Sequence, residues 1–381
     1  MTDALRTGRP GSVCAVGMRQ ASTRAIPAEL PLPFVELFSW PSPLEHLPGF
    51  SRGVGGGADV WIKREDLIPV GIGGNKVRNL EFIMGEAVAR GADVVVTCGR
   101  GRANHCRLTA AAAARTALRC VLVMTGPAPA QPSPNERMSV LLGAEMRYAA
   151  DDRPETRAAL LGDVLAELRA QGAVPYEAPF GDAGVVGACG QVLAGFELAR
   201  QLADAGNAAD YVFVASATGA NYTGLRVGLW LAGLDATKVV AVPSYFSTAT
   251  SEAEFRDDLR GLMAELRALW ATVPAGRVRD EGSWDDTILI DDTAPWLPYW
   301  VPGPGADEAA ALLGATEGIC VEPVYTARTA AAIKAWAAAG RFDGKTVVMW
   351  DGGGLPALFE DYGGRPAGGS RRTGEPARGP I

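Results

Sequence analysis

The segment Trp61-Ile-Lys-Arg-Glu-Asp66, followed after a short gap by Gly71-Ile-Gly-Gly-Asn-Lys76, decides how this chain reads. A short apolar strand (Val60–Lys63) runs into a glycine-rich turn, and a helical pattern begins near Arg78. A lysine in such a turn lies among backbone amides and close to a helix N-terminus. Both depress an amine pKa and leave the nitrogen free to form a Schiff base. A solvated loop lysine is the other reading, and the residues alone leave both open. The spacing does not match a Walker A loop, and no G-x-G-x-x-G occurs here.

Working outward, short Val-rich runs alternate with helical patterns. The expected strands are Val60–Lys63, Asp93–Cys98, Arg119–Met124, Glu145–Tyr148, Val174–Glu177, Tyr211–Ala215, Lys238–Val242 and Thr346–Trp350. The expected helices are Arg78–Arg90, Asn104–Thr116, Asn135–Leu142, Pro154–Gln171, Val185–Ala205, Tyr222–Leu234, Ser251–Thr272 and Ala327–Ala339. Ser251 and Glu254 have capping-box spacing. Val-rich strands suit a sheet buried on both faces, and regular strand–helix alternation indicates an α/β fold with parallel sheets. Residues 1–30 lack sustained periodicity, and 363–381 is rich in Gly, Pro and Arg, so both ends are expected to be flexible.

Composition narrows the function. The chain has 381 residues, of which 48% are hydrophobic, enough for a sizeable core in two or three domains. A net charge of −7 argues against a nucleic-acid surface. No apolar run reaches the roughly 20 residues that span a bilayer, and the first 30 residues lack a secretory apolar region. Only two histidines occur, His46 and His105, and none of the six cysteines forms a C-x-x-C pair. A resident metal is therefore not expected, and the scattered cysteines read as reduced thiols in a cytoplasmic protein.

Four further segments carry chemistry. Cys98-Gly-Arg-Gly-Arg-Ala-Asn-His-Cys-Arg107 follows a strand and opens an Ala-rich helix. Asn104 stands at a plausible N-cap, the amides beside it suit a carboxylate, and Arg100, Arg102 and Arg107 add positive charge. Ser216-Ala-Thr-Gly-Ala-Asn-Tyr-Thr-Gly-Leu225 also joins a strand to a helix, and its small residues let backbone amides approach a phosphate. Glu317-Gly-Ile-Cys-Val-Glu-Pro-Val-Tyr-Thr326 places Tyr325 just after Pro323 and just before a helix. Trp350-Asp-Gly-Gly-Gly-Leu-Pro-Ala-Leu-Phe359 is another strand followed by a glycine turn. Each also has a plain reading, as a capped helix, a strand-to-helix turn or a core aromatic.

In this order the five segments resemble the 1-aminocyclopropane-1-carboxylate deaminase / D-cysteine desulfhydrase family of pyridoxal-phosphate enzymes. The likeness spans roughly residues 31–360. It rests on Lys63-Arg-Glu-Asp66 with Gly73-Gly-Asn-Lys-Val-Arg-Asn-Leu-Glu-Phe82, on Glu317-Gly with Glu322-Pro-Val-Tyr325, and on Gly353-Gly-Leu-Pro-Ala-Leu-Phe359. The resemblance implies a tryptophan-synthase-β-like, fold type II architecture of two open, twisted, mostly parallel sheets flanked by helices. It implies a large cofactor domain (31–77 plus 185–362) interrupted by a small α/β domain (78–184). Lys76 would hold pyridoxal phosphate as a Schiff base, with Asn75 nearby and Asn104 on its 3′-oxygen. Ala217, Thr218, Gly219, Ala220 and Asn221 would hold its phosphate. Thr326 lies where the family places a residue near the pyridine nitrogen, and Tyr325 would face the substrate as an acid/base or positioning group. Ala103, His105, Arg100 and Arg102 would contact the substrate, and the enzyme would be a homodimer.

Departures from the family bear on substrate. The resemblance places a serine where this chain has Ala103, and that hydroxyl is implied in opening a cyclopropane ring. A Gly-Tyr-Gly segment reads Gly303-Pro-Gly-Ala-Asp307, so a second active-site tyrosine is expected to be missing. His-Thr-Gly-Gly reads Asp351-Gly-Gly-Gly354, which removes a threonine hydroxyl at Gly352. The expectation is a lyase that removes the Cα proton of an amino acid and eliminates its β-substituent, on a specialised substrate rather than aminocyclopropane carboxylate. Two alternatives are a β-replacement synthase of specialised metabolism and a non-catalytic ligand-binding homologue.

Overall fold

The computed structural model describes residues 23–360 apart from 25, 246–248, 250, 278–281 and 283. The tail expected at 363–381, and the expected N-terminal segment as far as residue 22, lie outside the described residues.

Among the described residues ten strands form two sheets. The larger combines β1 (Leu44–His46), β2 (Asp59–Arg64), β7 (Tyr211–Ser216), β8 (Lys238–Pro243), β9 (Leu289–Ile290) and β10 (Thr346–Asp351), in the order β1-β2-β10-β7-β8-β9. Only β1 runs antiparallel. The smaller sheet is wholly parallel, in the order β5-β4-β3-β6, from β3 (Val94–Gly99), β4 (Arg119–Met124), β5 (Glu145–Tyr148) and β6 (Pro175–Glu177). Every residue of β3 is buried, as a central parallel strand covered by helices requires. β1 and β9, at three and two residues, were not expected, because pairs this short carry no periodicity.

Among the described residues eleven helices cover the sheets: α1 (Pro48–Val54), α2 (Lys76–Ala89), α3 (Asn104–Arg115), α4 (Pro134–Leu141), α5 (Pro154–Ala170), α6 (Gly184–Asp204), α7 (Ala220–Leu231), α8 (Glu252–Trp270), α9 (Pro274–Arg277), α10 (Ala306–Glu317) and α11 (Thr326–Ala338). α1, α9 and α10 were not expected. α1 contains Pro48, Gly49 and Gly53, a composition poor in helix propensity, yet Phe50 and Val54 seat it in the core beside Leu313 of α10. At α8 the Ser251 hydroxyl accepts from the Glu254 amide, while the complete reciprocal box forms at α4 between Ser133 and Glu136.

Three helices start at points that matter for the site. α2 begins at Lys76, two residues before the sequence-based start, because the turn tightens directly into the helix. α7 begins at Ala220 after Gly219 in the left-handed region (φ 82°). α3 begins at Asn104, so the N-cap is Ala103 rather than Asn104. Ala103 has no side chain to cap with, and the first amides of α3 therefore lack that partner. α6 and α7 pack with almost no side chain between them. A Cβ on Gly195 would lie 2.8 Å from Gly228 Cα.

Candidate active site

The C-terminal ends of β3, β7 and β10 converge with the turn before α2 on one cleft. This is where an open α/β sheet places ligands, since strand ends and helix N-termini leave backbone groups free. The cleft holds about 910 Å³ of atom-free space, its open mouth included. Its walls are Gly73–Lys76, Arg100, Ala103–His105, the 214–219 loop with Asn221, and Gly352–Gly354, together with three tyrosines. No acidic side chain is among the residues lining it.

Lys76 stands on the first residue of α2 with its amine donating to the Gly181 carbonyl at 2.5 Å. Burial lowers its pKa, and the Asp182 carboxylate nearby offsets only part of that effect. Asp182 is itself fully buried and left-handed (φ 54°). Burial raises its pKa to about 7 against the opposing pull of Lys76. Asp182 was not read from sequence, because it lies between motifs.

At the opposite wall, α7 has no side-chain cap, so the positive end of its dipole and its first amides face the 216–219 loop. Ala217, Thr218, Gly219 and Asn221 line the cleft, while Ala220 is buried behind them. The Ser216 hydroxyl is buried without a partner at the start of this loop. The floor is glycine. A Cβ on Gly353 would lie 2.6 Å from Gly74 Cα, so the two turns meet as bare backbone.

Asn104 is held from behind. The Asn135 amide donates to Asn104 Oδ1 at 3.1 Å, and Arg107 Nε fixes Asn135 by donating to its Oδ1 at 2.8 Å. This leaves Asn104 Nδ2 turned toward Gly354, on the cleft side. Asn135 sits in α4 within no motif, and only tertiary contact identifies it. Asn75 anchors the floor, its backbone amide donating to the Gly352 carbonyl at 3.1 Å. His105 lines the wall with Nε2 2.9 Å from the Cys98 carbonyl, so that nitrogen donates and the other accepts. Burial, reinforced by Lys76, pushes its pKa down to about 4 and keeps it neutral.

The missing-tyrosine expectation is corrected. Tyr245 and Tyr299 line the cleft beside Tyr325, with Tyr245 edge-on to Tyr299 at 5.0 Å between ring centres. Tyr245 and Tyr325 share a side-chain hydrogen bond. They come from loops after β8 and before α10, which the motif at 303–307 gave no reason to inspect. The Glu322 carboxylate takes the amides of Val324, Tyr325 and Thr326, which fixes the turn presenting Tyr325. Thr326 lies behind the wall, its hydroxyl donating to Asp351 at 3.0 Å. Of the two arginines expected at the substrate, Arg100 lines the cleft, whereas Arg102 lies off the wall and pairs with Glu360 at 3.2 Å. Arg107 also lines it, deeply buried without a carboxylate, and burial lowers its pKa to about 10.

Comparison with known proteins gives one answer. Residues 35–351 match the family described as pyridoxal-phosphate dependent enzyme. The chain is 33% identical over 333 residues to a putative 1-aminocyclopropane-1-carboxylate deaminase of Pyrococcus abyssi, covering 87% of this chain and 94% of that one. It is also 33% identical to a D-cysteine desulfhydrase of Salmonella choleraesuis, covering 86% and 95%. A crystal structure of an aminocyclopropane-carboxylate deaminase homologue superposes with a TM-score of 0.73 at 29% identity, over 86% of this chain and 93% of that chain. The architecture is the fold type II arrangement expected from the sequence. The residues present fit the cofactor: a buried amine on one wall, uncapped amides and an unpartnered Ser216 hydroxyl at a helix N-terminus, and a glycine floor open to a flat ring. The chain therefore belongs to the pyridoxal-phosphate dependent enzymes, among the relatives of aminocyclopropane-carboxylate deaminase and D-cysteine desulfhydrase.

Proposed function

We propose that this enzyme is a lyase that removes the Cα proton of an amino acid and expels its β-substituent, giving a 2-oxo acid and ammonia after hydrolysis. The observation that carries the reading is Lys76, a buried amine on the cleft wall whose one hydrogen bond goes to a carbonyl rather than a carboxylate. Such an amine is neutral often enough to act as nucleophile and base. Pyridoxal phosphate, when bound, supplies the electron sink that acidifies the Cα–H bond.

This chain's own residues supply the rest. The 217–221 loop and the α7 N-terminus bind the phosphate, with Ala220 contributing backbone alone. Asn104, oriented by Asn135, donates Nδ2 to the ring's 3′-oxygen. Asn75 holds the floor, and Thr326 buttresses the ring-nitrogen end through Asp351. The first amides of α3, at Asn104 and His105, take the substrate carboxylate. Lys76 accepts the Cα proton. The Cα–H electron pair forms the new Cα–Cβ double bond, and the β-substituent leaves with the Cβ bonding pair. Tyr325, hydrogen-bonded to Tyr245, positions that leaving group and returns a proton to it. Ala103 has no hydroxyl, so cyclopropane ring opening is disfavoured. We also assign 31–77 with 185–362 to a large domain and 78–184 to a small one, and place the enzyme in the cytoplasm as a homodimer.

The test loads purified protein with pyridoxal phosphate and incubates it with both enantiomers of cysteine and β-chloroalanine, reading 2-oxo acid and ammonia. Full turnover by Lys76→Ala protein would overturn the proposal. Thioether products formed from added thiols, identified by mass, would redirect it to β-replacement. No visible absorbance after loading would favour the ligand-binding alternative.

A further inference from the structure

We infer that Arg100 forms a second anion subsite in the cleft, and that the substrate is an amino acid whose β-substituent itself ends in an anionic group. This inference rests on the lyase reading above and names its substrate class.

Lys76, Arg100 and Arg107 line the cleft, and no carboxylate side chain does. A cofactor phosphate is met by the α7 end, and a substrate α-carboxylate by the first amides of α3 and the buried Arg107. Arg100 is left over. A cationic wall without acidic residues raises the local concentration of anions and penalises cations.

Arg100 is also placed, not merely present. Its guanidinium carbon lies 4.8 Å from the centre of the Tyr299 ring. That ring is held in turn by Tyr245. Stacking on an aromatic face orients a planar guanidinium while leaving its in-plane N–H groups free for a carboxylate, sulfonate or phosphate. Among the described residues no carboxylate pairs with Arg100, whereas Arg102, two residues on, is already bound to Glu360. The Tyr299 hydroxyl is buried without a partner in the same wall, and adds a donor next to that guanidinium. Arg100 stands in the turn leading to the α3 N-terminus, its carbonyl accepting from the Ala103 amide at 2.9 Å, so its side chain neighbours the amides assigned to the α-carboxylate. A neutral β-substituent would leave the buried Tyr299 hydroxyl unmatched and the exposed Arg100 guanidinium to water.

The experiment compares S-carboxymethylcysteine with S-methylcysteine, as both enantiomers, on the cofactor-loaded enzyme. The two share a sulfur leaving atom and differ by one carboxylate. Equilibrium binding is read by spectral titration, and elimination by 2-oxo acid release. Wild type is expected to favour the carboxymethyl compound by about tenfold in both Kd and kcat/KM, the scale of one charge-assisted pair at a partly exposed site. Raised salt should shrink that ratio. Arg100→Gln is expected to collapse the ratio toward one, mainly through KM, and Arg100→Lys to restore part of it. Equal binding of the two compounds by wild type, or an unchanged ratio in Arg100→Gln, overturns the inference and leaves the lyase reading standing. Visible absorbance without 2-oxo acid from any compound, cysteine and β-chloroalanine included, overturns the lyase reading, and the substrate class falls with it.

Discussion

Two lysines, the buried Lys63 and the half-buried Lys76, show how differently one residue type is used in neighbouring segments. Lys63 donates to the Ser42 carbonyl (2.6 Å), Glu197 (2.5 Å) and Gln201 (2.6 Å). Glu197 also takes Arg78, at 2.7 and 3.1 Å, and Arg78 in turn bridges to Glu65. Every charge in that knot meets an opposite one. Burial lowers the Lys63 pKa to about 8 despite Glu197, while burial works against Glu197 and yet Arg78 and Lys63 hold it down at about 2. Lys76 has one carbonyl, and around it stand groups without partners: an Arg107 nitrogen and the Ser216 hydroxyl. A closed network locks α2 and α6 to the sheet. An open one waits for ligands, since buried polar groups left unpaired are costly and persist where something else will pair them. The Lys-Arg-Glu-Asp run thus holds the fold, and the chemistry starts at the end of the glycine turn.

The comparison can be broken at either lysine. Lys76→Ala should lose the visible absorbance of the loaded enzyme and at least about 10³-fold in turnover, with thermal stability nearly kept because the amine's one hydrogen bond goes to a carbonyl and desolvation disfavours its charge. Arg78→Met should do the reverse. It leaves Glu65 and Glu197 under-compensated and should lower unfolding stability by roughly 3–5 kcal/mol in urea titration. An Arg78→Met protein with an unchanged urea midpoint would refute the structural assignment of that knot.

A pH scan sharpens the contrast. His105 titrates near 4 in the fold against an ordinary 6.5, so the unfolded chain takes up the proton first. Its contribution is complete above pH 6.5 and is lost as pH falls toward 4, by roughly 3 kcal/mol. The difference in stability between wild type and His105→Gln should change across that window and stay level above it. The smallest expected effect is at Asn135. Asn135→Ala frees Asn104 to rotate and should weaken pyridoxal-phosphate affinity about tenfold, read by equilibrium dialysis, and lower the melting temperature by a few degrees because buried Arg107 loses its partner.

Much of this was legible in the sequence. Short runs, most of them rich in Val, gave eight of the strands, because most buried parallel strands carry apolar β-branched residues on both faces. Glycine turns after β7 and β10 marked where backbone meets ligand. What stayed hidden depends on contacts distant in sequence. α1 owes its helix to a seat in the core rather than to propensity. Tyr245 and Tyr299 reach the cleft on loops with no motif of their own, and Arg100 and Arg102 look equivalent until Glu360 pairs with one of them.

The sequence by itself determined the alternating architecture, the lysine at the end of the glycine turn and the small-residue loop at the α7 N-terminus, because each follows from local rules of periodicity, turn geometry and helix ends. Tertiary structure alone decided which charges are neutralised and which face the cleft. That distinction is electrostatic and depends on desolvation and on partners from other elements, which residue order does not encode locally.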